Sequence, residues 1–298
     1  MPTHLFAAHS EHKNMRDIDK ICKKSPTNCL PVVNQQLQTT PPKSRVWFDL
    51  MQYKFDALFA LQKINALHEV TKPLINQQNL PIPFQMSLFI YYGKSLVVDK
   101  TLDEKTLNQE RKKFMVKAQK LLGLMNNVYP NPKLLMQLGN LQMIVGEYEK
   151  AYQLLQSLVM KHRQYPDLAY NLDLYANLGH LAVQLGYKQQ AVEYWLTSLY
   201  WAKQLGNDQQ TATIFYNLAR TQEINKNFID ANFNATKSIE YATLAHDNIE
   251  YAKAQLLSTR LLLFLKQKTA AKKLLHTINT ENLPAELFKK YTSLKAKV

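Results

Sequence analysis

Three groups of residues in this sequence are of types that do chemistry. Cys22 and Cys29 enclose six residues in ICKKSPTNCL, which fits either a small loop closed by a disulfide, implying an oxidising compartment, or two unpaired thiols. A zinc site would need more such ligands nearby. The eight histidines are scattered: His4, His9 and His12 lie near the start, and His68, His162, His180, His246 and His276 have no second histidine or cysteine at ligand spacing. No nucleophile stands beside a base, and neither GxGxxG nor GxxxxGK[ST] occurs, so no catalytic, metal or cofactor-binding residues are expected. The third group is polar and periodic. Asn140, His180, Arg220 and Arg260 are spaced by 40, and Gln137, Asn177 and Asn217 keep the same interval three residues earlier. Arginine offers bidentate hydrogen bonds to a carboxylate and asparagine can pair with a peptide unit, so such residues held in line would grip an extended peptide.

Holding them in line is the task of a repeat. Residues 134–298 superimpose on themselves at a shift of 40 without a gap. Leu138, Leu178, Leu218 and Ser258 form one register, Gly139, Gly179, Ala219 and Thr259 the next, and Ala151, Ala191, Ala231 and Ala271 a third. Each unit divides into two amphipathic segments. In the second unit Tyr175, Leu178, Ala182 and Leu185 share one helical face, Val192, Trp195, Leu196 and Leu199 share a face of the next helix, and Gly186 marks the turn. Small residues at 139, 179, 219 and 259 let the paired helices approach. A two-helix unit cannot bury both of its faces alone, so the units must stack. Trp195 is expected in the core, with Tyr200 or Trp201 partly exposed.

The same residues resemble the tetratricopeptide repeat, whose aromatic, Leu-Gly, Gly, Ala and second aromatic stand here as Tyr175, Leu178 and Gly179, Gly186, Ala191 and Trp195. The units at 132–165 and 212–245 match through Leu138, Gly139, Gly146, Tyr148 and Ala151, and through Phe215, Leu218, Ala219 and Ala231. The resemblance implies an all-α, right-handed α-solenoid with a period of about 40 residues, longer than the family's commonest unit. It also implies that the first helices line a concave groove, into which Asn140, His180, Arg220 and Arg260 point, with Gln137, Asn177 and Asn217 beside them. The expected partner is a protein or peptide, and the expected function is that of a non-enzymatic scaffold. A looser resemblance is to the extracytoplasmic repeat regions of bacterial signalling proteins such as diguanylate cyclases, whose catalytic motif this chain lacks.

Composition and punctuation complete the reading. Only 7 of 298 residues are glycine, which argues against folds built on glycine-rich phosphate loops and hairpins. No proline occurs between 167 and 283, whereas five fall within the first 42 residues, so residues 1–43 read as an irregular arm. Residues 44–130 read as divergent helical repeats, with Tyr92, Gly93 and Ala118 as relics of the pattern; residues 131–279 hold four repeats. Residues 280–298 read as a capping helix or an incomplete repeat. The net charge of +14 raises an alternative function, nucleic-acid binding. Its distribution counts against that: residues 1–138 carry +9, residues 139–259 carry −2 and residues 260–298 carry +7. Ala7, Ala8 and Ser10 resemble the cleavage region of an export signal, which favours an extracytoplasmic location. No stretch approaches the 18 or more apolar residues of a membrane span.

Overall fold

The computed structural model describes residues 15–23, 25–99, 101–125, 131–161, 166–281 and 283–298, and all of its regular elements among them are helical. The chain divides into two compact units, Met1–Glu147 and Tyr148–Val298. That boundary falls inside the first of the four repeats read in the sequence.

The first unit holds α1 (15–23), α2 (Pro26–Thr39), α3 (Arg45–Ala60), α4 (Ile64–Thr71), α5 (Ile82–Ser95), α6 (Glu104–Met125) and α7 (Pro132–Ile144). The described part of residues 1–43 is thus helical, not irregular. Proline misled the reading because Pro26 occupies the first turn of α2, where its missing N–H costs nothing, and Ser25 caps that turn by accepting from the Asn28 amide at 3.3 Å. Ile18, Cys29, Leu30 and Val33 anchor α1 and α2 in the core, beside Leu50, Phe55, Leu67 and Phe84. Cys22 and Cys29 are joined, which ties the end of α1 to the first turns of α2. The candidate remnant of an export signal at Ala7, Ala8 and Ser10 lies outside the described residues.

From Ser44 the helices follow the three- and four-residue spacing of apolar groups in RVWFDLMQYKFDALFALQKINAL, with one break. Ser44 caps α3 through the Trp47 amide at 3.2 Å, but the apolar run continuing into KINAL divides in two where Gln62 adopts a left-handed conformation, φ 55°. Gly93 lies against Ile144, whose Cγ2 would stand 3.3 Å from an added Cβ, and Ala118 is wholly buried.

The second unit is the regular one. It comprises α8 (Tyr148–Lys161), α9 (Leu168–Gln184), α10 (Lys188–Gln204), α11 (Asp208–Ile224), α12 (Phe228–Leu244), α13 (Asn248–Phe264), α14 (Lys268–His276) and α15 (Ala285–Lys295). Helices α9 and α10, α11 and α12, and α13 and α14 pack as successive pairs, and α10 and α12 each pack on the first helix of the next pair. Ala151, Ala191, Ala231 and Ala271 are all wholly buried. A Cβ on Gly179 would stand 2.8 Å from Cδ2 and Cε2 of Trp195, so the helices of this pair touch where the sequence places its small residue. Ser198 Oγ donates to the Leu172 carbonyl at 3.0 Å and Ser238 Oγ to the Ala212 carbonyl at 2.8 Å, the same bond repeated one unit later.

The turns follow one geometry with different residues. After α9 Gly186 has φ 78°, while after α11 and α13 the same left-handed position is held by Lys226 and Lys266, φ 62° and 60°. In each turn the following amide, of Tyr187, Asn227 or Gln267, reaches back to a carbonyl five residues earlier at 2.8–2.9 Å, which closes the helix end. At the far end, α15 lays Leu287 and Leu294 against Leu256 and Leu275.

Candidate functional site

The predicted groove residues fall in both units. Gln137 and Asn140 lie half-buried on α7 in the first unit, where Gln137 Nε2 donates to Ser87 Oγ at 3.1 Å. That amide is already engaged within the chain. The other five stand on successive first helices of the second unit: Asn177 and His180 on α9, Asn217 and Arg220 on α11, and Arg260 on α13. Both asparagines are half-buried, and His180, Arg220 and Arg260 are exposed. The His180 ring meets Trp195 edge to face, centroids 4.7 Å apart, so the core tryptophan fixes its attitude.

Helices α11 and α13 pack directly and are tied at three levels. Near their starts Gln209 donates to Asp247 Oδ2 at 3.2 Å; half-way along, the Lys253 ammonium lies over the Tyr216 ring, 4.6 Å from its centroid; near their ends Arg260 Nη2 pairs with Glu223 Oε2 at 2.6 Å. Arg260 is therefore partly neutralised, while the Glu286 carboxyl on α15 is lowered mainly by its bond to Lys290 and to a lesser degree by the half-buried Lys253 and the exposed Arg220. Gln209, Tyr216 and Glu223 were missed because no residue type recurs at their registers, and Lys253 because its register changes charge through Lys133, Asp173 and Thr213. Glu223 lies one helical turn beyond Arg220, and that spacing alone could have marked it.

Burial changes the one carboxylate of α13. Glu250 is nearly inaccessible; burial pushes its pKa up, opposed by Lys253, whose Nζ lies 2.6 Å from Oε2. Desolvation lowers the Lys253 ammonium, but Glu250, Tyr216 and Asp247 together raise it above its ordinary value. Asp247 caps α13 beside them, accepting from the Ile249 and Glu250 amides at 3.1 and 2.9 Å.

The first unit contains a grouping that resembles a hydrolytic triad. His68 Nδ1 lies 3.2 Å from Ser95 Oγ, and His68 Nε2 lies 3.8 Å from Asp99 Oδ2. Ser95 is wholly buried and donates its proton to the Tyr92 carbonyl at 2.9 Å. Its oxygen is thus left to accept from the imidazole, the opposite polarity from a nucleophile facing its base. The grouping fastens α4 to α5. Among the described residues no three histidine, cysteine or acidic side chains converge as a metal site, and no helix is long and apolar enough to cross a membrane.

No family model and no curated protein matches the chain. Solved structures do. The apo form of RapI aligns over 96% of this chain and 81% of its own, with a TM-score of 0.58 and 11% identity. The Pyrococcus horikoshii signal transduction ATPase with a tetratricopeptide repeat sensor aligns over 96% of this chain and 49% of its own, TM-score 0.58, 12% identity. BtubC from P. vanneervenii aligns over 80% and 91%, TM-score 0.51, 12% identity. At such identities the likeness is one of fold.

Proposed function

Taking the chain as a tetratricopeptide-repeat solenoid in fold, we propose that it is a non-enzymatic scaffold that binds an extended protein segment along the first-helix face of α9, α11 and α13. The observation that carries this reading is the alignment of Asn177 with Asn217 and of His180 with Arg220 and Arg260 on equivalent turns of successive helices, with the cationic members exposed. The half-buried asparagine amides would pair with the peptide backbone, and the Arg220 guanidinium would take a carboxylate of the ligand. Glu223 would set selectivity: a ligand carboxylate must compete with it for Arg260, so Arg220 is the stronger anchor. A sensory or adaptor role in signalling fits this reading, as does the sensor repeat of the Pyrococcus ATPase.

A photo-crosslinking residue in place of Asn217 should capture the partner from its native extract, and the same residue in place of Thr236 on the other face of the hairpin should not. Equal capture at both positions would remove the proposal. The exposed lysines between 266 and 297 favour a second reading, binding of a nucleic acid at that end. It requires an affinity that falls steeply with salt, and absence of binding at low salt would exclude it.

A further inference from the structure

The turn edge joining α11 to α12 and α13 to α14 carries apolar side chains that the peptide-binding reading does not use. Ile224 ends α11, Ile229 and Phe233 lie in the first turns of α12, and Phe264 ends α13; they are 50, 73, 60 and 55% exposed. They belong to one edge, because Ile224 and Phe264 are equivalent positions of adjacent first helices and Phe264 stacks on Phe228, centroids 4.8 Å apart and planes within 6°. Cations stand among them. Lys226 and Lys266 occupy the two left-handed turn positions, Lys268 begins α14, and Lys237 lies 5.8 Å from the Phe233 centroid. Against these the edge sets Asp230, which is held by Asn227 Nδ2 at 2.6 Å, and Glu240, which pairs with Lys237 Nζ at 2.8 Å, so Lys226, Lys266 and Lys268 supply most of its positive charge.

We propose that this edge docks on an anionic lipid surface, with Ile229, Phe233 and Phe264 entering the headgroup layer and the lysines meeting lipid phosphates. Two features favour a bilayer over other occupants. Each of these apolar side chains is at least half exposed, in the last turn of one helix or the first two turns of the next, so each leaves a large apolar area to enter an interfacial layer. A second copy of the chain would set Lys226, Lys266 and Lys268 against their own kind, while an anionic leaflet rewards each of them.

The test uses the full chain. Since Cys22 and Cys29 are bonded to each other and no free cysteine is present among the described residues, I229C supplies a labelling site for an environment-sensitive dye, and T243C near the other end of α12, about 20 Å away, supplies the control. With vesicles of phosphatidylcholine and phosphatidylserine the dye at 229 should shift to the blue and the dye at 243 should not, and phosphatidylcholine alone should give neither shift. Phe233→Ser and Phe264→Ser, at exposed positions that leave helicity intact, should each weaken co-sedimentation by about tenfold, the order expected for one apolar side chain leaving water. Equal shifts at both positions, no shift at either, or sedimentation indifferent to the serine variants would overturn the proposal. So would concentration-dependent self-association abolished by the serine variants without vesicle binding, which would assign the edge to a second copy. A blue shift at 229 produced by an acidic peptide but not by vesicles would assign it to a protein partner.

Discussion

Replacing Gly179 by alanine should destabilise the fold in the presence of Trp195 and stabilise it in its absence. Two effects of known sign act at this position. Alanine gains about 1 kcal/mol over glycine in a helix interior. Against this, its methyl would stand 2.8 Å from two indole carbons of a ring that is only 1% exposed and is tethered by Nε1 to Thr221 Oγ1 at 3.1 Å. Ordinary carbon contacts lie near 3.5–4.0 Å, so α9 or the indole must yield by close to 1 Å, at a cost of about 1–3 kcal/mol. The sum is a loss of up to about 2 kcal/mol. In a Trp195→Leu background, already weakened by about 3 kcal/mol, the ring is gone and the same change should gain up to about 1 kcal/mol. The assay is urea unfolding of the four proteins followed by circular dichroism, with the denaturant slopes required to agree. Equal effects of Gly179→Ala in both backgrounds would mean that the residue does not set the distance between α9 and α10, and would refute the reasoning.

Further outcomes follow from the same structure. Lys226→Gly and Lys266→Gly should each raise stability by about 0.5–1 kcal/mol in the same unfolding assay, because their left-handed backbone burdens any residue with a side chain. Cys29→Ser should cost about 2–3 kcal/mol under oxidising conditions and nothing further once reductant is added, the amount expected for opening so short a loop. Glu250 has a pKa raised above its ordinary 4.5, so its contribution to stability is present below that pH and is lost as pH rises through the raised value. The melting temperature of Glu250→Gln relative to the natural protein should therefore rise as the pH is raised from 4.5 through the elevated value, and a constant difference would contradict the assigned burial effect.

The regular half of the molecule was legible because its contacts recur. Gly179, Ala191 and Ala231 announced themselves by spacing, and the structure uses each for close approach of helices. What does not recur was opaque. The left-handed turns at Lys226 and Lys266 carry no glycine to mark them. Proline in residues 26–31 concealed a helix that Ser25 and buried Val33 stabilise. The ties between α11 and α13 pair Gln with Asp, Tyr with Lys and Glu with Arg, one each, so a search for repeated residues passes over them. The predicted groove residues are also unequal: Arg260 pairs with Glu223, and Gln137 donates to Ser87.

The most direct test of the account is the affinity of the crosslinked partner, once identified, for the natural chain and for Arg220→Ala and Arg260→Ala, alone and combined. Arg220→Ala should weaken binding by about tenfold to a hundredfold, Arg260→Ala by less because Glu223 already holds it, and neither should change helicity. Unchanged affinity in the double variant would contradict the claim that the first-helix face of α9, α11 and α13 is where the partner binds.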